Sequence, residues 1–163
     1  MPQNLTSNEQ PPFSVEAERA VLGGIMFKND AWDLVAGLVL EEDFYQYEHK
    51  LIFKTIKSLQ DSGKPIDFVT VIETLEGNGD LPELDNLGGK NYIQLLGEET
   101  PTIANIESYA EIIKQRSNLR RLITTVDQIA QNAREADSSS SDQIIDNAEE
   151  SILSLRDDVK RSS

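Results

Sequence analysis

The sequence predicts an all-α protein, made of a small multi-helix head followed by an antiparallel helical hairpin. Apolar residues recur at helical spacing along most of the 163-residue chain, and no segment alternates apolar and polar residues as a strand would. From residue 105 onward the pattern changes to two long, narrow apolar series separated by a serine-rich link. Only 38% of the residues are apolar and 6% aromatic, so we expect part of the chain to be extended and solvent-exposed.

The predicted head begins after a polar tail, residues 1–13, that we expect to be disordered. A first helix is predicted over residues 15–27, with Glu16 and Glu18 in its first turn, where the helix dipole favours anions. A second is predicted over residues 31–39, whose apolar residues lie at i, i+3, i+4, i+7 and i+8.

Three more elements complete the head. The third helix is predicted from about residue 45 to residue 61. Asp67 is a suitable N-cap for the fourth helix, which we expect Gly77 to end. A glycine-rich loop over 77–89 then leads to a short helix over 92–96.

The domain boundaries follow from the change of pattern: head 14–104, hairpin 105–157, and the start of a linker at 158–163. Each hairpin arm carries an apolar seam with alternating spacings of 3 and 4. Two such narrow seams bury little apolar surface, so a lone hairpin should be marginal and should need neighbours. The predicted seam residues are Leu119, Leu122, Val126, Ile129 and Ala133 on the first arm, and Ile145, Ala148, Ile152, Leu155 and Val159 on the second.

Composition excludes several classes of function. The chain has 15 basic and 29 acidic residues and a net charge of −14. Residues 1–104 hold 18 of the acids and 7 of the bases, a net charge of −11, which disfavours direct DNA binding by the head. The absence of cysteine excludes thiol chemistry and cysteine-ligated metals, and no apolar run suits a membrane span or secretory signal, so we expect a cytoplasmic protein.

No catalytic, cofactor-binding or metal-binding constellation is predicted. His49 is the only histidine and lacks partners at a fixed spacing, so we expect it to pack or to form a hydrogen bond inside the head. The acidic clusters fit no EF-hand, and the glycine pairs lack the Gly-Lys-Ser/Thr of a phosphate-binding loop. We therefore expect no cofactor.

Candidate interaction residues lie mainly on the first hairpin arm. Lys114, Arg116, Arg120 and Arg121 form the one basic cluster, which fits a solvated or inter-subunit ion-pair surface and, as an alternative, contact with DNA. Ile123 lies beside the seam, so it could dock a partner or pack on the chain's own head.

Three blocks of residues match one family pattern together, although each is weak alone. The first block is the run SVEAERAVLGG at residues 14–24, an acidic helix start leading into Val-Leu-Gly. The second, over 43–71, holds Asp43-Phe44-Tyr45, His49, Ile52-Phe53, Ile56, Gly63, Pro65, Asp67 and Val69-Thr70-Val71. The third, over 88–123, holds Gly88-Gly89, Tyr92-Ile93, Leu95, Pro101-Thr102, Ala104-Asn105, Tyr109-Ala110 and Arg120-Arg121-Leu122-Ile123. From residue 14 to about 156, the combination resembles the N-terminal domain of bacterial hexameric replicative DNA helicases, the DnaB family.

This resemblance implies a helical head and hairpin that assemble into a trimer-of-dimers collar and receive the C-terminal domain of bacterial primase, with a helicase loader as a further partner. It also implies that Tyr92, Arg120, Ile123 and Ile129 lie on the docking surface. The stretch 81–87 is slightly longer than the family's usual loop. The family pattern continues, after a position matching about residue 160, into a RecA-like ATPase domain that would hold ATP and Mg²⁺, so we expect this chain to be a non-enzymatic part of such a helicase.

Three functional hypotheses follow. The leading one is an oligomerisation and primase-docking module. The second is a generic helical adaptor without a role in replication, and the third is a DNA-contacting domain that uses the cluster from Lys114 to Arg121.

Overall fold

The computed structural model describes residues 10–99 and 102–161, and within them the backbone is helical with no strand, which confirms the predicted all-α class. The chain forms two compact units. The head is Ser14–Gln115, and the hairpin unit joins residues 10–13 to residues 116–161. The helices are α1 (Val15–Phe27), α2 (Ala31–Val35), α3 (Tyr47–Asp61), α4 (Phe68–Asn78), α5 (Lys90–Glu99), α6 (Ile106–Glu135) and α7 (Ser141–Arg161), with short 3-10 segments at Glu41–Asp43, Leu81–Leu87 and Ser138–Ser140.

Helix α1 lies at the centre of the head. Ser14 caps it by accepting a hydrogen bond from the Ala17 N–H at 3.1 Å, and its buried face packs mainly against α5. Gly24 faces the beginning of α6 so closely that a Cβ at this position would lie 2.6 Å from Ile106 Cδ1. The glycine therefore permits the close approach of the two helices.

Helix α2 is shorter than its apolar stripe predicts. It ends at Val35, and Leu38 and Val39 pack on the core from the turn that follows rather than from a helix. The Asp43 carboxylate holds this turn by accepting a hydrogen bond from the Leu40 N–H at 2.8 Å. Apolar spacing alone did not distinguish a helix from a turn that buries the same side chains.

Helix α4 confirms its predicted N-cap but not its predicted end. Asp67 accepts a hydrogen bond from the Thr70 N–H, and Thr70 Oγ1 accepts one from the Asp67 N–H, a reciprocal capping box. The helix passes through Gly77 and ends at Asn78, because Gly79 adopts the left-handed conformation, with φ of 76°, that terminates helices.

The head extends beyond the boundary predicted at residue 104. Ile106, Ala110 and Ile113, in the first three turns of α6, belong to the buried core of the head. Of the predicted N-terminal tail, residues 10–13 belong to the hairpin unit and the remainder lies outside the described residues. The predicted linker is helical as far as Arg161, and its last two residues also lie outside the described range.

Candidate partner-docking surface

The hairpin unit presents an apolar stripe to solvent. On α6, residues 119, 122, 123 and 126 share one helix face, and each is exposed by at least 40%. On α7, Ile145, Ile152 and Leu153 are exposed to a similar or greater extent. Exposed apolar side chains that lie together on two helices of one unit are typical of an interface with another protein.

The predicted seam is buried only in part. The spacing correctly identified one apolar face of each arm, but most residues of that face are exposed rather than covered by the other arm. The exposed seam residues are Leu119, Leu122, Val126, Ala133, Ile145 and Ile152, whereas Ile129, Ala148, Leu155 and Val159 are half-buried. Spacings of 3 and 4 show that a face is apolar, but they do not show what covers it.

A largely polar cleft lies between the two arms. The cleft between α6 and α7 has a volume of about 640 Å³. Its lining is Thr124, Thr125, Gln128, Asn147, Glu150, Ser151, Ser154, Leu155 and Asp158. Polar side chains such as these contribute little apolar burial, so the cleft lining adds only weak hydrophobic stabilisation.

The candidate docking residues on α6 have different environments. Ile123 is exposed by 45% and belongs to the apolar stripe. Ile129 is half-buried, one turn beyond Thr125 of the cleft lining. Ile123 can therefore meet a partner directly, whereas Ile129 has less of its surface available for one.

The basic cluster is engaged by the protein itself. Arg116 Nη1 donates to the Phe13 carbonyl at 2.7 Å, and Arg120 Nη1 donates to the Pro12 carbonyl at 2.8 Å. In the head, Lys114 Nζ lies 2.6 Å from Asp43 Oδ2, and the Asp43 side chain is fully buried. Arg120 therefore holds the segment before the head, a role that its position in the sequence did not indicate.

Tyr92 does not lie on an exposed surface, contrary to the prediction. It is only 7% exposed, in α5, and its hydroxyl lies 2.6 Å from His49 Nε2. The opposite ring nitrogen, Nδ1, lies 2.8 Å from Glu18 Oε1. The predicted hydrogen-bonding role of His49 is thereby confirmed, because its ring joins α1 and α5 from its position on α3.

The carboxylate end of this buried chain has a definite hydrogen-bond direction. The Glu18 carboxylate also accepts hydrogen bonds from the Tyr45 and Gln46 N–H groups at 2.7 and 3.4 Å, so it acts as an acceptor toward Nδ1 as well. If the imidazole that donates from Nδ1 is neutral, its Nε2 accepts, and the Tyr92 hydroxyl is then the donor.

Burial raises the pKa of Tyr92 above its ordinary value, and the Arg19 guanidinium, 5.3 Å from the ring centroid, opposes the rise. The phenol is therefore protonated at neutral pH and available as the donor. The three side chains form a structural network that joins three helices of the head.

None of the described helices is long and apolar enough to cross a membrane. In the part of the chain that the structure describes, no group of three or more His, Cys, Asp or Glu side chains could hold a metal ion. A helical head with a polar buried network, followed by a hairpin with an uncovered apolar stripe, defines an all-α protein-interaction domain.

Comparison with known proteins identifies the family. The family described as "DnaB-like helicase N terminal domain" matches residues 10–115. The Replicative DNA helicase DnaB of Haemophilus influenzae is 37% identical over 153 residues, which are 94% of this chain and 32% of that relative. The Replicative DNA helicase DnaC of Bacillus subtilis is 38% identical over 152 residues, 93% of this chain and 33% of that relative. The chain thus spans about a third of the length of the curated relatives it matches.

Two solved structures also match the fold of this chain. The N-terminal domain of DnaB helicase from Mycobacterium tuberculosis superposes with a TM-score of 0.79 at 32% identity, covering 90% of this chain and 99% of that one. A DnaB-like replicative helicase, reported with its interactions with primase, shares the fold with a TM-score of 0.67 at 21% identity, over 87% of this chain and 31% of that one. This chain belongs to the family of DnaB-like helicase N-terminal domains.

Proposed function

We propose that this chain is the non-catalytic N-terminal domain of a hexameric replicative DNA helicase, where it assembles subunits into a collar and docks primase. The observation that carries the proposal is the apolar stripe of the hairpin, exposed on α6 and α7 while a polar cleft separates the arms. A second copy that covered the stripe would remove this apolar surface from water. Each Å² buried in this way would stabilise the assembly by about 25 cal/mol.

The assembly role is tested with Leu122→Asp. Leu122 is 40% exposed on the stripe, so the variant should keep its helicity and lose self-association, because an aspartate would have to be buried against apolar side chains. Asn132→Asp adds the same charge at an exposed polar position of α6 and serves as the control. Sedimentation equilibrium over a range of concentrations should show an oligomer for the wild type and the control, and a monomer for Leu122→Asp.

A strict monomer for the wild type at hundreds of micromolar would contradict assembly through the hairpin. Loss of helicity in Leu122→Asp, by circular dichroism, would instead place Leu122 inside the hairpin, as its spacing first predicted.

Primase docking rests on the family and on the primase interactions reported for the DnaB-like helicase of the same fold. Of the candidate residues, Ile123 has the exposure that a direct contact needs, and Arg120 can act by holding the segment that contains Pro12. Truncation of an interface anchor costs roughly 2 kcal/mol, or about thirtyfold in affinity.

Calorimetric titration with a primase C-terminal domain tests the docking role. Ile123→Ala should weaken binding by about thirtyfold without loss of helicity. Tyr92→Ala should act through the stability of the head, because Tyr92 is buried, whereas Tyr92→Phe should leave primase affinity nearly unchanged. Unchanged affinity in both Ile123→Ala and Arg120→Ala would place the docking surface elsewhere.

The remaining parts of the proposal concern the whole helicase. The domain itself needs no cofactor, and ATP and Mg²⁺ serve the ATPase region of the helicase. It works in the bacterial cytoplasm at the replication fork, and a helicase loader is a further partner. The adaptor hypothesis lacks an observation in its favour, and the DNA-contact hypothesis is weakened because Lys114, Arg116 and Arg120 bind groups of the protein itself.

A further inference from the structure

An apolar groove lies on the head between α2 and α3, apart from the residues invoked for assembly and primase docking. Its volume is about 460 Å³, and Trp32, Ala36, Val39 and Phe53 contribute its apolar lining. Leu40, 45% exposed, adds an apolar edge. Grooves of this size and lining bind apolar side chains of a ligand or partner.

The floor of the groove is anchored to the core. The Trp32 ring stacks on Phe53 with centroids 5.4 Å apart, and Phe53 contacts the fully buried Phe44 at a centroid distance of 4.8 Å. Trp32 is half-buried, so one part of its ring faces the groove while the other is held by packing. A rigid aromatic surface loses little entropy on binding, which is why tryptophan is enriched at the energetic centres of interfaces.

The two walls of the groove carry opposite charge. Lys50 and Lys57 lie on α3, seven residues and therefore about 10 Å apart along the helix axis. Glu41 and Glu42 lie on the 3-10 segment that follows α2. The ion pair between Lys57 and Asp61, at 3.0 Å, is exposed on both sides, so Lys57 can exchange it for a partner's carboxylate at little cost.

The backbone of the groove walls indicates which kind of peptide segment can bind in the groove. Both long walls are helical or turn backbone that is bonded internally, so the groove offers no sheet edge to an extended peptide. A helix brings its own backbone hydrogen bonds, and two of its turns match the distance between the two lysines.

We propose that this groove binds a short amphipathic helix of a partner protein. Two apolar side chains of that helix lie over Trp32 and Leu40. Its acidic flank faces Lys50 and Lys57, and its basic flank faces Glu41 and Glu42.

As a test, a displayed library of helical peptides of about three turns is selected for binding to the wild-type protein. Peptides that also bind the Leu40→Glu variant are then removed by counter-selection. Trp32 is the only tryptophan of the chain, so a consensus peptide without tryptophan can be titrated against its fluorescence. We expect a saturable emission shift and a consensus with an apolar pair between an acidic and a basic flank.

Matched variants distinguish peptide binding at the groove from general effects of a substitution on the protein. Leu40→Glu and Lys57→Glu should each weaken the peptide by about tenfold or more. Leu34→Glu changes a similarly exposed leucine, which lies on α2 outside the groove, and should leave affinity within about twofold. Circular dichroism of each variant checks the fold.

Three results would overturn the proposal. The first is that no peptide survives counter-selection. The second is that surviving peptides bind Leu40→Glu and Lys57→Glu as well as the wild type. The third is an emission shift with protein concentration alone, which would make a second copy of the chain the occupant.

Discussion

At the scale of single residues, two lysine–aspartate pairs of similar geometry lie in very different surroundings. Lys114 and Asp43 are 2.6 Å apart, with the lysine side chain 12% exposed and the aspartate fully buried. Lys57 and Asp61 are 3.0 Å apart on the surface of α3. Removal of one partner of a buried pair leaves an uncompensated charge in a medium of low dielectric constant, whereas an exposed pair is screened by water.

Lys114→Met should therefore destabilise the protein by about 3 kcal/mol. The control Lys57→Met should change stability by no more than about 0.5 kcal/mol. Urea unfolding followed by circular dichroism measures both variants. Equal effects of the two substitutions would show that the Asp43 carboxylate does not need its lysine.

The Tyr92 hydroxyl gives a pH-dependent prediction. Because the pKa of Tyr92 is raised in the folded state, the fold favours the protonated phenol. This contribution to stability is fully present below the ordinary tyrosine value of 10.0 and is lost as the pH rises through the folded-state pKa. Tyr92→Phe also leaves His49 Nε2 without its donor, a cost of about 1 to 3 kcal/mol at neutral pH.

We therefore expect the stability difference between wild type and Tyr92→Phe to be largest near neutral pH and to shrink as the pH rises above the ordinary tyrosine value of 10.0. Urea unfolding at a series of pH values checks this, since subtraction of the two curves cancels the other tyrosines and the lysines. A difference that stays constant across the series would contradict the proposed donor role.

At the scale of helices, α1 and α6 approach so closely that an added methyl group at Gly24 would displace the Ile106 side chain. A Cβ at Gly24 would lie 2.6 Å from Ile106 Cδ1, whereas a Cβ at Gly77 in α4 would meet no atom within 4 Å. Gly24→Ala should destabilise the head by roughly 1 to 3 kcal/mol through overpacking. Gly77→Ala should stabilise it by up to about 1 kcal/mol, because alanine favours the helix. Thermal unfolding of the two variants should shift in opposite directions, and a stabilising effect of Gly24→Ala would show that α6 can move away without cost.

The sequence predicted the helices better than the surfaces they form. The Asp67 cap and the extent of α1 were readable because each depends on neighbouring residues. The exposure of the hairpin stripe and the burial of Tyr92 were not, because each depends on residues distant along the chain. Ile144 and Ile145 illustrate the limit: either could face the other arm, and the structure half-buries Ile144 and exposes Ile145.

At the scale of the whole molecule, charge separates protein partners from nucleic acid. The net charge is −14, and most of it belongs to the residues before the hairpin. DNA affinity depends on cations that displace counterions from phosphates. Of the cluster from Lys114 to Arg121, Lys114 binds the Asp43 carboxylate, and Arg116 and Arg120 bind backbone carbonyls.

We therefore expect no appreciable binding of single- or double-stranded DNA at physiological salt. Fluorescence anisotropy with labelled oligonucleotides should stay flat to high protein concentration, and lowering the salt should not produce a saturable curve, because the acidic surface repels the phosphates at longer range when screening is reduced. A micromolar affinity that falls with added salt and disappears in Arg120→Glu with Arg121→Glu would contradict this expectation. It would show that Arg120 leaves the Pro12 carbonyl to bind phosphate, and it would make the hairpin a DNA-contacting element.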